Sequence, residues 1–233
     1  MEKLCYVLWR PPDQTADAFA RTLRETAAPA LVAGGAGRVA VNVSDGDVAH
    51  ALAVRISQLD PPFDAVVSFW VDEADARGPL EASLRAVAGR AWPFLVVESV
   101  PRRNRTHLAP PGERTPGINM VACITPKAGM PYADFIRHWH TVHRAAALET
   151  QRTYAYVRNE IVRSFAPDAP PWAAIVEEGF PVPAVTDPMQ WYDADGDAAR
   201  FKRNVGRMME SCMAFLALDR IESHPLSEYV YGR

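Results

Sequence analysis

Apolar positions in the second half of the chain recur with two alternating periods. Residues 118–125 are a short apolar stretch rich in β-formers, broken by Pro126-Lys127-Ala128-Gly129. Pro131 then suits the first turn of a helix. Phe135, Trp139, Val142 and Ala146 follow at i, i+4, i+7 and i+11, the stripe of an amphipathic helix. Residues 153–163 alternate as a strand, Pro167, Pro170 and Pro171 mark a turn, and residues 172–178 read as a third strand. A long connection through Pro181, Pro183 and Pro188 leads to a closing helix with Phe201, Val205, Met208, Cys212 and Leu216 on one face. Residues 220–223 open a last strand, so the order is β-α-β-β-α-β, a ferredoxin-like arrangement.

The first half carries the same landmarks in the same order. Phe19 with Arg21 and Leu23 answers to Phe135 with Arg137 and Trp139, and residues 39–42 answer to residues 156–159. Pro62-Phe63 with Ala65-Val66-Val67 answers to Pro171-Trp172 with Ala174-Ile175-Val176, and Val97-Glu98-Ser99 to Ile221-Glu222-Ser223. Four matches at a nearly constant offset point to an internal duplication. The pattern predicts an α+β fold of two ferredoxin-like modules in tandem, residues 1–100 and 117–233, joined by a Pro- and Arg-rich linker over 101–116. Each module would leave one sheet face bare, so the two sheets are expected to pack face to face as a pseudo-twofold barrel.

Composition narrows the field. The 233 residues are 48% hydrophobic and 23% charged, ordinary globular usage with enough apolar surface for cores. A net charge of −3 argues against nucleic acid or an anionic membrane as partner. The first apolar run stops at Arg10-Pro11-Pro12, too early for a signal peptide or a membrane span, so a cytoplasmic protein is expected. Cys5, Cys123 and Cys212 are scattered without CxxC spacing and read as reduced thiols. Gly34-Gly35-Ala36-Gly37 leads into a strand and reads as a turn, not a phosphate loop. No cofactor is expected.

Candidate chemistry concentrates on the second-half helix, where His138, His140 and His143 are half of the six histidines. On a regular helix His138 and His140 diverge by about 200°, so the three cannot converge on one metal ion, and no metal site is expected. His143 stands at the edge of the buried stripe, and its counterpart in the first half is Ala27, so the fold does not require a histidine there. The second-half strands are dense in polar groups: Tyr154, Tyr156, Arg158, Asn159, Glu160, Glu177 and Glu178. Alternation puts Ala155, Val157, Asn159 and Ile161 on one strand face, and this mostly apolar set is expected to lie under the helices, with Asn159 near His143. One of Glu177 and Glu178 must point inward, either to orient an imidazole or to form a buried ion pair with Arg158.

The run Asp134-Phe135-Ile136-Arg137-His138-Trp139-His140-Thr141-Val142-His143 resembles the signature helix of the EthD family, within the dimeric α+β barrel superfamily. Tyr156-Val157 with Asn159, Ala174 to Glu177, and Phe215-Leu216 before Ile221-Glu222 are similar to its later strands and C-terminal end. The resemblance covers nearly all of the second half. It departs at Glu178-Gly179-Phe180 and the proline-rich loop, and the first half lacks the histidine, which implies one competent pocket per chain. That superfamily includes cofactor-free monooxygenases, isomerases, cyclases, dehydratases, decarboxylases and haem enzymes. The resemblance implies a cofactor-independent lyase or isomerase acting on a small aromatic or polyketide-like molecule, with His143 and Glu177 catalytic. Trp139, His140, Tyr156, Arg158, Asn159 and Glu178 would contact substrate. The alternatives are a non-catalytic binder of a hydrophobic small molecule, a haem-binding member or a cofactor-free oxygenase. A homodimer of such chains is a further expectation.

Overall fold

Leu4, Tyr6 and Leu8 alternate with Cys5, Val7 and Trp9 in β1 (Glu2–Trp9), and all six side chains are buried. A strand buried on both faces needs a packed layer on each side. The computed structural model, which describes residues 1–232, supplies both. Leu4, Tyr6 and Leu8 pack against helices that carry Phe19, Leu23 and Leu31. Cys5, Val7 and Trp9 meet side chains from strands on the far side of a barrel, among them Val121, Cys123 and Ile175.

The remaining strands are β2 (Gly37–Val43), β3 (Ala65–Val71), β4 (Arg90–Arg102), β5 (Ile118–Ile124), β6 (Ala155–Ser164), β7 (Ala174–Phe180) and β8 (Glu222–Tyr231). They close into one antiparallel barrel in the order β1-β3-β2-β8-β5-β7-β6-β4. This corrects the expectation of two tandem ferredoxin-like modules with separate sheets packed face to face. Strand β2 is hydrogen-bonded to β8, with Asn42 opposite Glu228, and β4 to β6, with Glu98 opposite Asn159. Neither half therefore keeps a sheet of its own. A free-standing sheet would expose a row of unpaired N–H and C=O groups on each edge strand, and closure removes those edges.

Helices cover the outside of the barrel. In the first half these are α1 (Ala16–Thr22), α2 (Ala28–Ala33) and α3 (Gly78–Arg85); in the second, α4 (Tyr132–His138), α5 (Arg144–Thr150) and the long α8 (Ala198–Phe215). Thr15 caps α1 by accepting from Ala18 N, and Asp197 caps α8 by accepting from Ala199 N and Arg200 N. Between β7 and α8 the Pro-rich connection forms two short helices, α6 (Val182–Thr186) and α7 (Pro188–Trp191). Pro183 and Pro188 stand in their first turns, where a missing N–H costs nothing. The stretch after β4 is pinned to the barrel by Arg114, which donates to Ser227 Oγ and Gly117 O.

The lumen has two unlike regions. One is aromatic, with Trp9, Phe63, Trp92, Phe94 and Trp172 in edge-on and tilted contact. The other is a polar chain: Lys3 Nζ donates to Glu98 Oε2 (2.7 Å) and Asn159 Oδ1 (2.8 Å), and Asn159 donates on to Glu177 Oε1 (2.9 Å). Asn42 also donates to Glu177, and Asn119 to Asn42, so polar groups from six strands satisfy one another. Among the described residues no helix is long and apolar enough to cross a membrane.

Candidate active site

The helix that carries the histidines is not regular. Between α4 and α5 the segment Trp139–His143 is a π-helical turn, in which the Arg144 N–H reaches back to Trp139 O. On an α-helix residues five apart diverge by about 140°; a π turn hydrogen-bonds i to i+5 and brings them to one side. His138 and His143 consequently face the same residue of α8, Ser211. The turn also drives Trp139 fully into the core, where its Nε1 donates to Tyr156 Oη at 2.8 Å. Tyr156→Phe would leave that indole N–H buried without an acceptor, so a loss of about 1–3 kcal/mol is expected, checked by thermal denaturation.

Between this helical layer and the outer face of the barrel lies a cavity of about 400 Å³. Its floor comes from β5 (Met120, Ala122) and β7 (Val176, Glu178), and one wall from Trp139, His143, Met208 and Phe215. Helices α6 and α7 roof it with Ala184, Val185 and Trp191, followed by Tyr192. The roof is clasped from outside by Arg152, which donates to Asp193 (2.8 Å), Asp195 (2.6 Å) and Gln190, while Arg200 also binds Asp193. Val54, Ile56 and Met209 line the cavity and are each about two-fifths exposed, which places the mouth beside them.

The lining is mostly apolar, and its few polar groups are perturbed. Glu178 borders the cavity and so keeps some accessible surface, yet its Oε1 is sealed from solvent and has no hydrogen-bond partner. Burial pushes this carboxyl up to about 7. His143 is pulled down to about 4, first by burial and then by the neighbouring His138. At neutral pH the imidazole is therefore uncharged and the carboxyl stands near half-protonation. Burial, reinforced by Glu178, also raises Cys212, to about 11, and holds its thiol protonated. His143 comes from the helical wall and Glu178 from the sheet floor, and no hydrogen bond joins them. A molecule in the cavity would lie between an acid–base group above and another below.

The residues expected at the site divide into three groups. His143, Glu178 and Trp139 line the cavity. Tyr156, Arg158 and His140 lie behind it: Tyr156 under Trp139, the Arg158 guanidinium 5.7 Å from the Trp139 ring with Nε on Ser99 Oγ, and His140 Nε2 3.1 Å from Glu160 Oε1, poorly aligned for a hydrogen bond. Glu177 and Asn159 are on the other side of the sheet, in the polar chain of the lumen with Lys3. The expected strand face is thus inverted: Tyr156 and Arg158 lie under the helices, and Asn159 and Ile161 point into the barrel. Glu178, one residue on from Glu177, is the carboxylate that reaches the cavity.

Several residues of the site carried no recognisable signal. Tyr192 and Trp191 lie in the connection read as a loop, Gln151 ends α5, and Ser211 is a buried hydroxyl on a helix. For Ser211, the one available signal was a small polar residue beside the apolar stripe of α8. Among the described residues no three His, Cys, Asp or Glu side chains converge on a metal-sized site.

No family model matches the chain, and no curated protein matches it. Among solved structures, an anthrone oxidase-like protein superposes over 100% of this chain and 93% of its own, with a TM-score of 0.54 at 10% identity. A candidate monooxygenase from Fusobacterium nucleatum superposes over 98% of this chain and 91% of its own, with a TM-score of 0.50 at 9% identity. At these identities the likeness is one of fold.

Proposed function

We propose that this protein is a cofactor-independent enzyme that moves a proton on a small, apolar, ring-bearing molecule, as a lyase or isomerase. The observation that carries this is Glu178: an unpartnered carboxyl raised to about 7 in a largely apolar cavity that His143 lines from the opposite wall. A storage pocket for a hydrophobic ligand gains nothing from a polar group that costs stability. A general base gains from a value near the working pH. Glu178 as carboxylate abstracts the proton and uncharged His143 relays one on the other side of the substrate. The cavity lies within the range of about 300–1,000 Å³ usual for small-molecule sites, and Trp139, Trp191 and Phe215 give it ring-shaped walls.

The carbanion so formed has two fates. Intramolecular reprotonation or loss of a leaving group gives the isomerase or lyase; capture by dioxygen gives an oxygenase, the reading that the names of the two fold neighbours favour. Anthrone, a tricyclic carbon acid, tests both. In anaerobic D₂O at pH 7 the protein is expected to accelerate exchange of the anthrone methylene hydrogens above the buffer rate, followed by mass spectrometry. Admitting air then separates the fates by dioxygen uptake. Exchange at the buffer rate for anthrone and for a panel of phenols and naphthols that do bind would leave a ligand-binding protein.

A further inference from the structure

We propose that Ser211 and His138 form a proton relay that connects His143 to solvent and sets its resting tautomer, with Nε2 as the ring nitrogen that addresses the cavity. The proposal rests on the reading of His143 as an acid–base group of that cavity. Ser211 is 5% exposed, and its Oγ lies 3.1 Å from His143 Nδ1 and 3.3 Å from His138 Nε2. A serine inside a helix usually turns its hydroxyl back onto its own backbone; Ser211 bonds instead to these two rings. The Phe215 ring packs against both, with centroids 5.0 Å from His138 and 4.9 Å from His143, and holds them in register. The π turn Trp139–His143 is what makes two histidines five residues apart share one partner.

A hydroxyl has one proton, so it can donate to one imidazole only and must accept from the other. With His143 Nδ1–H donating to Ser211 Oγ, and Ser211 donating to His138 Nε2, the His143 Nε2 lone pair is left for the substrate. Among the described residues Nε2 has no protein partner. When Nε2 takes a proton, the Nδ1 proton passes to Ser211 Oγ, the Ser211 hydroxyl proton passes to His138 Nε2, and half-exposed His138 gives up its Nδ1 proton to water. One proton leaves the cavity and no electrons move. The physical benefit is that His143, where burial disfavours positive charge, does not have to keep the proton. Ser211 and His138 act through His143 and are positioning residues.

The test uses ¹⁵N-histidine-labelled full-length protein and needs no substrate, so its outcome is independent of whether anthrone exchange is found. Ring-nitrogen chemical shifts are expected to show His143 protonated at Nδ1. Ser211→Ala is expected to release that preference into a mixture of tautomers, and Ser211→Thr, which keeps the hydroxyl, to restore it. His138→Phe, which keeps the ring stack on Phe215, is expected to slow exchange of the His143 Nδ1 proton with water by about tenfold or more. His143 protonated at Nε2 in the unmodified protein would overturn the tautomer assignment. Unchanged exchange in His138→Phe would overturn the relay, since protons would then reach His143 through the cavity itself.

Discussion

Glu178→Gln is expected to lower proton-transfer activity by about 10²–10⁴-fold while raising stability at pH 8 by up to about 3 kcal/mol. The two effects share one cause. The Glu178 carboxyl ordinarily ionises near 4.5 and is pushed to about 7 by burial. A group whose folded value is raised contributes stability below its unfolded value and loses it as pH climbs through the folded one. From about pH 4.5 upward the unfolded chain ionises freely, whereas the folded chain must hold an unpartnered charge. The loss levels off above pH 7. Glutamine keeps the shape and cannot ionise, so the difference in melting temperature between variant and parent is expected to widen from pH 4.5 to 7 and then stay constant. A variant less stable than the parent at pH 8 would mean that the carboxylate is ionised and satisfied, and the catalytic reading would lose its footing.

Lys3→Met is expected to cost about 3–5 kcal/mol, the largest stability effect of any single change considered for this barrel. Burial alone would lower the Lys3 ammonium, but Glu177 and Glu98 outweigh it and the net shift is upward. Removing the cation leaves Glu177, 7% exposed, and Glu98 without their shared partner, on strands that flank β6. Glu98, at 17% exposure, can recruit water more readily than the more deeply buried Glu177. Lys3→Met combined with Glu177→Gln is therefore expected to recover most of the loss, since the buried charge goes with its partner. Denaturant midpoints of the two single variants and the double variant measure this directly. Strictly additive losses would show that the polar chain is not coupled through Lys3.

Side-chain periodicity made some parts of this architecture legible. The strand–helix alternation of the second half and its buried Phe135, Trp139 and Ala146 follow from apolar spacing, whereas Val142, read into the same stripe, is exposed within the π turn. Periodicity could not tell which face of β6 points where, because both faces are buried: Asn159 is satisfied in the lumen and Arg158 stacks over Trp139. It could not reveal barrel closure, since pairing of β2 with β8 and of β4 with β6 is a matter of backbone hydrogen bonds. Counting at 100° per residue assumed a regular helix, and could not foresee the π turn that brings His138 and His143 onto Ser211. Proline spacing suggested a loop where Pro183 and Pro188 in fact start the roof helices. Glu177 and Glu178 were both expected at the site, but neighbouring residues on a strand face opposite ways, so Glu177 lies in the lumen and Glu178 at the cavity.

The place of β8 between β2 and β5 has a consequence for how the chain matures. On the ribosome β1, β2 and β3 emerge early and can pair at once, yet the other edge of β2 has no partner until residues 222–231 have been made, with Tyr229 opposite Val41. Contacts of such long sequence separation form late and slowly. Until then the nascent protein carries an open β-edge, a template for pairing with a neighbouring chain on the same polysome. Proline or lysine placed on the outward side of β2 would guard that edge during translation but would spoil the seam it must later form. Val39, Val41 and Val43 are all fully buried, so the chain keeps a seam-forming edge. Its yield in cells is therefore expected to depend on how soon β8 arrives, a dependence that slowing translation over the codons of residues 222–231 would expose.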